Sequence, residues 1–439
     1  MTASAVNSSP EFSSADLARL AEAGIAPAAA AEQLRLLRDG MQRPVLLRPC
    51  TVGDGIVTPD AAEFESLGAE YLAAAAAGRW MFFIPASGAA TRMATSLTDP
   101  EAVDALRAHP AFARSAVPEL LKDPGRWASL PKALMPFHRY GVEGADGSGL
   151  RTPLEEHARE AVALAPEAVA RLHFTISPEH EELFLAEVAR VTALLAARGA
   201  RVEITHSFQD PATQTLALDE DGQPFRDESG NLLLRPGGHG SLLRNLEAVA
   251  RDGDRPGAEF VWVRNIDNIP VEPIRAEGRA LRRALGGLLM RAAAASPDRP
   301  ARIAGMVKNQ GEVGGGPFWI QGAAGPEVRI VESAEVDAKD PAQTEIFKSA
   351  THFNPVDLAC ALRDRSGAPF PLAGFSRSSA CFIAEKSHGG KPLRALEWPG
   401  LWNGSMAGWM TQCVEIPLSQ FGPVKTVADL LRPEHLGAA

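Results

Sequence analysis

The chain has 439 residues, 45% of them hydrophobic and 22% charged, with a formal net charge of −10. That length exceeds what one simple core organises and suits two or three units of a globular protein. The acidic balance excludes a general nucleic-acid-binding surface, so a polyanion would need a local basic pocket.

Residues Met1 to Ser13 are mostly polar or small and uncharged except for Glu11. The segment lacks a basic region followed by an apolar run, and Arg79 interrupts the best apolar stretch of the chain. A cytoplasmic protein that associates with no membrane is therefore expected. Asp16–Gly40 places Leu17, Leu20, Ile25, Leu34, Leu36 and Leu37 at helical spacing, interrupted at Gly24 and Pro27, which predicts two short amphipathic helices. Arg43–Val57 alternates loosely and suits a short strand. Pro59 opens a further helix that Gly78 ends. Residues 1–78 thus read as an N-terminal helical cap.

Met81–Ile84 is a buried strand by composition, followed by the small-residue loop Pro85–Ala90, then Thr91, Arg92 and a helix. Strand, small-residue loop and helix together bring backbone N–H groups against a phosphate. Gly88 is expected in a φ region that other residues resist. Ser87, Ala89 and Ala90 keep side chains clear, and Arg92 offers a forked positive charge. An ordinary strand-to-helix turn has the same pattern, so this stretch decides nothing alone.

Glu101–Leu121 is helical with proline breaks, and Lys132 lies in a loop-like stretch between prolines. Thr152-Pro153 with Glu155 opens a helix to about Ala165. The strand Leu172–Ser177, the helix Pro178–Arg198 and the strand Arg201–Ser207 form one βαβ unit, with Gln209 just after it. Thr215–Leu234 reads as a hairpin turning at Asp221-Gly222. A second glycine-rich loop, Arg235–Leu243, precedes a helix over Arg244–Val249. The strand Phe260–Val263 runs into Arg264-Asn265-Ile266-Asp267-Asn268, and an acidic residue at such a strand end is a common ligand position in open α/β sheets. A long helix over Ala276–Ala295, strands at Arg302–Val307, Val328–Glu332 and Cys381–Ala384, and two tryptophan clusters after Arg394 complete the chain. Residues 79–390 read as the main α/β unit and 391–439 as a Trp-rich extension.

Several chemistries are absent. There is no GxxxxGK[ST], no GxGxxG after a strand, no HExxH and no GxSxG. Cys50, Cys360, Cys381 and Cys413 form no CxxC pair and read as buried reduced thiols. His173, on an apolar strand, reads as a satisfied core histidine, whereas His138, His239 and His352 sit in polar loops and suit site work. What remains is a set of strand-end loops rich in Gly, Lys, Asp and Asn, which suits a Mg²⁺–nucleotide site.

The order of these loops resembles that of the sugar nucleotidyltransferases, above all the UDP-sugar pyrophosphorylases. Gly88–Arg92 resembles their GxGTR loop, with Ala90 where their second glycine stands. Pro131-Lys132 resembles the following Pro-Lys, at a longer distance. Phe208-Gln209 is similar to Phe-x-Gln, Pro236–Gly240 to the PxGHG uridine loop, and Ile266-Asp267-Asn268 to Val-Asp-Asn at the metal site. Glu332–Glu335 is similar to a Glu-Tyr-Ser-Glu segment near the sugar, and Lys386 to a late phosphate-contacting lysine. The glycines Gly314–Gly316 have no counterpart. The whole chain, including HFNPVDL and the PVKTVADLLRP end, is also similar to an uncharacterised bacterial family known only as a domain of unknown function, a likeness that carries no activity.

The resemblance implies an open mixed α/β sheet with helices on both faces, like the nucleotide-diphosphosugar transferases. It implies a Mg²⁺-dependent transfer between a nucleoside triphosphate, UTP foremost, and a sugar phosphate, with release of pyrophosphate. Arg92, Lys132 and Lys386 would be catalytic. Ser87, Gly88, Ala89, Thr91, Gln209, Gly238, His239 and Gly240 would bind the nucleotide. Asn268, Glu332 and Asn354 would face the substrate, and Asp267 would hold Mg²⁺. A glycosyltransferase of the same fold, or a nucleotide-binding protein without turnover, is compatible with the same loops.

Overall fold

The computed structural model describes residues 12–437 other than 89, 142–148, 252, 254–255 and 312–313, and excludes the side chains at Thr91, Arg92 and Ala94. A nine-stranded mixed sheet runs through the molecule. Its spatial order is Thr51–Val52, Gly55–Val57, Met410–Glu415, Ala301–Lys308, His352–Ala361, Phe260–Val263, Trp80–Pro85, Val169–Ile176 and Arg201–Phe208. His352–Ala361 is antiparallel to both of its neighbours, and the remaining neighbouring strands are parallel to one another.

Alternation along the strands divides the core between two faces. Phe82, Ile84, Leu172, Phe174, Ile303, Val307 and Val414 point to one face. There they pack against the helices Phe64–Ala76, Pro153–Leu164, Glu181–Ala196 and Glu272–Ala295. Met81, Phe83, Val261, Val263, Ala304, Met306 and Cys360 point to the other, under the helix Leu243–Val249 and the Trp409 turn. A separate three-stranded sheet, Leu46–Pro49 with Gly315–Gly322 and Gly325–Glu332, lies beside this second face. All four cysteines are free and buried.

Most elements expected from periodicity are present with small boundary shifts, but Thr215–Leu234 is not a single hairpin: only Ala217–Leu218 is a strand, paired with Lys391–Glu397, and isolated bridges from Leu218 to Pro224 and from Arg226 to Leu232 close two successive turns. The helix expected from Thr152-Pro153 runs Pro153–Leu164, with the Thr152 side chain accepting from the Glu155 N–H. Phe260–Val263 is a strand over the expected residues. The three-part division of the chain is not followed by the sheet. Residues 1–78 contribute the strands Leu46–Pro49, Thr51–Val52 and Gly55–Val57, so they are not a purely helical cap. Met410–Glu415, from the C-terminal stretch, is an interior strand between Gly55–Val57 and Ala301–Lys308.

Beneath the carboxyl edge of this sheet lies a buried charge network. Arg264, Arg275 and Arg282 are each at most 1% exposed, as are Glu156, Glu160 and Asp357. Arg282 reaches Glu160 at 2.9 Å and Asp357 at 3.0 Å; Arg275 reaches Glu156 at 2.7 Å and Glu160 at 3.1 Å; Arg264 pairs with Asp357. Breaking such a pair strands a charge away from water. Asp357→Asn, which weakens the hold on two arginines at once, is expected to lower the free energy of unfolding in urea by about 3–5 kcal/mol.

Candidate functional site

The expected loops gather along one edge of the sheet because eight of its nine strands run parallel. Ser87 and Gly88 follow the strand Trp80–Pro85, and the Ser87 carbonyl accepts from Ser177 Oγ at 3.2 Å. Gly88 is exposed and does not adopt positive φ, contrary to expectation. A Cβ there would meet nothing within 4 Å, so the glycine leaves open space rather than relieving backbone strain. The helix Thr91–Thr98 begins at Ala90 without a side-chain cap. Ala89 and the side chains of Thr91 and Arg92 lie outside the described residues. Ala90 and Met93 share a hydrophobic cluster with Ile269, Val424 and Val427, which sets this helix beside the Asp267 loop and the C-terminal segment.

Asp267 is 8% exposed and receives two ammonium groups on one oxygen, Oδ2: Lys132 Nζ at 2.7 Å and Lys425 Nζ at 3.0 Å. Burial pushes the Asp267 carboxyl up, but Lys132 and Lys425 outweigh it and hold the group below its ordinary value. Burial lowers the Lys132 ammonium from its ordinary value, and Asp267 offsets part of that. Lys132 also donates to the Val424 carbonyl at 2.7 Å, and Val424 N–H donates to the Asp267 carbonyl at 2.9 Å. Asn268 accepts from the Gly422 N–H at 2.8 Å. Pro131-Lys132 and Asp267-Asn268, 135 residues apart at the lysine and aspartate, are thus brought together by the C-terminal strap.

Lys425 was not singled out by sequence reasoning. The signal that could have found it is local. Thr426 and Asp429 form a capping box, and Asp429 Oδ2 accepts from the Lys425 N–H at 2.8 Å. A lysine between buried Val424 and Val427, next to a capped turn, is fixed at its backbone.

A second group of expected residues meets farther along the same edge. Gly238 has φ +74°, and a Cβ on Gly240 would lie 2.1 Å from the Pro399 carbonyl oxygen, so only glycine lets this loop lie against Glu397–Leu401. His239 accepts at Nδ1 from the Leu401 N–H at 3.1 Å, which leaves the proton on Nε2, and its ring lies 4.7 Å from that of Trp402. Gln209 donates to Thr213 at 3.3 Å, and the Thr213 carbonyl accepts from Trp398 Nε1 at 2.7 Å. Trp398 is therefore a structural clamp on the loop that carries Gln209.

Lys386 is exposed and pairs with Glu397, beside Gly238. No contact among the described residues joins it to Asp267. Glu332 ends the strand Gly325–Glu332, and Asn354 stands near the start of His352–Ala361; Gly315 passes between them. Burial, followed by the nearby Glu335, pushes the Glu332 carboxyl up to about 7, against the Trp402 and Asn403 side chains that face it. His138 and His352, expected in polar loops, are buried. His138 bonds Glu156 at 2.7 Å and His435 at 3.0 Å, a structural role. His173 bonds Thr205 at 2.9 Å and Ser207 at 2.8 Å, as a satisfied core histidine does.

Among the described residues no group of three or more His, Cys, Asp or Glu side chains could hold a metal ion. Asp267 offers a single carboxylate. That fits Mg²⁺, which commonly takes one or two carboxylates and fills its remaining positions with phosphate oxygens and water. Among the described residues no helix is long and apolar enough to cross a membrane.

The family described as Domain of unknown function (DUF4301) matches residues 13–112, 111–296 and 292–436. The chain belongs to that family. None of the curated proteins matches it by sequence. Its fold is that of the UDP-sugar pyrophosphorylases. It is similar to a mutant UDP-glucose pyrophosphorylase from Leishmania major solved with UDP-glucose, at 16% identity over 96% of this chain and 79% of that one, with a TM-score of 0.52. It is also similar to the UDP-N-acetylglucosamine pyrophosphorylase from Trypanosoma brucei solved with an inhibitor, at 15% identity over 96% and 79%, with a TM-score of 0.54. At such identities the likeness establishes the fold.

Glu332 makes its own prediction. Its carboxyl titrates higher folded than unfolded, so its contribution to stability is complete below the ordinary glutamate range and is lost as pH rises through about 7. Thermal melting of the ligand-free protein is expected to fall across that window in wild type, and to fall less in Glu332→Gln.

Proposed function

We propose that this protein is a Mg²⁺-dependent nucleotidyltransferase that joins a nucleoside triphosphate, UTP foremost, to a sugar 1-phosphate and releases pyrophosphate. The observation that carries this reading is the convergence of Lys132 and Lys425 on Asp267 at the carboxyl end of a buried strand, beside the small-residue loop. In the reaction an oxygen of the sugar phosphate attacks the α-phosphorus. A new P–O bond forms, the bond to the bridging oxygen breaks, and pyrophosphate leaves with that electron pair. Little covalent help is needed beyond alignment and positive charge around the phosphorus.

The residues suit these tasks. The two lysines are held in reserve on Asp267 and would turn to the phosphates of the bound substrates, with Arg92 at the β- and γ-phosphates. Asp267 would then be free to hold Mg²⁺ with the triphosphate oxygens. When bound, that ion supplies charge neutralisation. Ser87, Gly88, Ala89 and Thr91 would line the triphosphate. Gln209 and the backbone of Gly238–Gly240 would read the base, with His239 donating from Nε2. Asn268, Glu332 and Asn354 would face the sugar phosphate. In this reading Lys425 takes the late-lysine role expected of Lys386, because Lys425 shares Asp267 with Lys132 whereas Lys386 lies with Glu397. UTP as the nucleotide is supported by the fold relatives, one of them solved with UDP-glucose.

Titration calorimetry of UTP with Mg²⁺, together with a pyrophosphate-release assay, tests the reading. A contact to a charged group is worth about 1.5–3 kcal/mol, so Lys132→Ala, Lys425→Ala and Arg92→Ala are each expected to weaken UTP binding or the rate by about tenfold or more. Lys386→Ala is expected to change either by less. A protein that binds a UDP-sugar tightly, binds UTP poorly and releases no pyrophosphate would instead be a glycosyltransferase.

A further inference from the structure

We propose that a cavity at the amino edge of the main sheet, walled by Arg79, Arg299, Arg363 and Arg365, is a second ligand site that takes a small organic phosphate. It lies at the opposite edge from Asp267 and stands independently of the nucleotidyltransferase reading. Arg79 immediately precedes the strand Trp80–Pro85, and Phe260 opens the strand whose other end leads to Asp267.

The cavity has a volume of about 690 Å³, within the range that holds a small molecule. Its floor is apolar: Phe260, Ala361 and Phe370 are each at most 8% exposed. Its rim is basic, although the chain as a whole has a net charge of −10. Four arginines and two carboxylates, Glu259 and Asp364, line it.

Both carboxylates are already engaged. Glu259 accepts twice from Arg79, at 2.7 and 2.5 Å, and that guanidinium lies 5.0 Å from the centre of the Phe260 ring. Asp364 turns Oδ1 into its own loop, where it accepts from the Ser366 N–H at 2.8 Å, the Ala368 N–H at 3.0 Å and Ser366 Oγ at 2.6 Å. Arg363 donates to the Ala250 carbonyl at 2.6 Å and the Gly367 carbonyl at 2.8 Å, which pins its charge to the wall. The helix Glu272–Ala295 ends here, and its Ala292 and Ala293 carbonyls accept from the Ser296 N–H. Two arginines remain with donors to offer. Arg299 is exposed and, among the described residues, enters no ion pair. Arg365 Nη2 stands 3.6 Å from Asp298, whose side chain is 92% exposed. A pair that long and that open to water is worth little.

This arrangement sets the chemistry of the ligand. A guanidinium fork matches two phosphate oxygens at once. Like charges held around one cavity repel, and a bound anion relieves that repulsion. The apolar floor adds a second requirement. A phosphate that carries an apolar or carbon-rich body gains by removing that body from water, whereas inorganic phosphate gains nothing there.

The test is titration calorimetry on the full chain at about 0.15 M salt, with phenyl phosphate and orthophosphate as probes. Wild type is expected to bind phenyl phosphate about tenfold more tightly than orthophosphate. Arg299→Gln combined with Arg365→Gln is expected to weaken phenyl phosphate by about tenfold or more. Each single variant is expected to give part of that loss. Both side chains are exposed, so the melting temperature is expected to stay that of wild type. Lys132→Ala combined with Lys425→Ala is expected to leave phenyl phosphate binding unchanged. No binding by wild type, equal binding of the two probes, or unchanged binding in the arginine variants overturns the inference. Loss of phenyl phosphate binding in the lysine variant puts the probe at Asp267 and overturns it as well. Failure of wild type to bind UTP counts against the nucleotidyltransferase reading alone.

Discussion

The structure depends on keeping three buried arginines paired. Arg264 belongs to the loop that presents Asp267, Arg275 and Arg282 to the long helix, Asp357 to the antiparallel strand, and Glu156 and Glu160 to the helix Pro153–Leu164. The C-terminal strap joins through Gln420, which accepts from Arg282 at 2.9 Å. Apolar packing is tolerant of small shifts, whereas charge pairs in a dry interior are not. One network therefore fixes the relative positions of the strand-end loop, two helices and the strap.

That rigidity explains how residues far apart in sequence meet at Asp267. Lys132 and Lys425 come from opposite sides of the chain, and the Val424 backbone ties both to the aspartate. Two cations on one carboxylate leave a net positive group at the sheet edge. The second group, around Glu332, is acidic and rich in amide oxygens.

Much of the fold was legible because periodicity reports burial. The βαβ unit, the strand Phe260–Val263 and the capped helix at Thr152 follow from alternation and capping chemistry. The strand His352–Ala361 was harder to read, because it is buried nearly throughout and yet carries His352, Asn354, Pro355 and Asp357 among its apolar residues. The site was legible where the residue type itself is rare at a strand end, as with Asp267 and the loop Gly238–Gly240. Lys425 was not, since its one mark is the capping box of Thr426 and Asp429 beside it, which fixes the backbone and says nothing of where the ammonium points. Gly88 shows the opposite error. Its glycine suggested an unusual backbone, whereas the structure uses it to leave room. Burial misled for His138: a histidine between Phe137 and Arg139 in a stretch broken by prolines read as a loop residue, yet it is buried and hydrogen-bonded to His435.

The interior position of the strand Met410–Glu415 bears on how the chain is made. Synthesis delivers Gly55–Val57 and Ala301–Lys308 long before the strand that must lie between them. Until Met410–Glu415 emerges, the sheet exists as two parts with unpaired inner edges. Such edges invite pairing with other chains, and contacts of this sequence separation form slowly. The nascent protein is therefore expected to keep an unpaired sheet edge until Met410–Glu415 is available, and to lose the pairing of Gly55–Val57 with the rest of the sheet if that strand is disrupted, even where no site residue is touched.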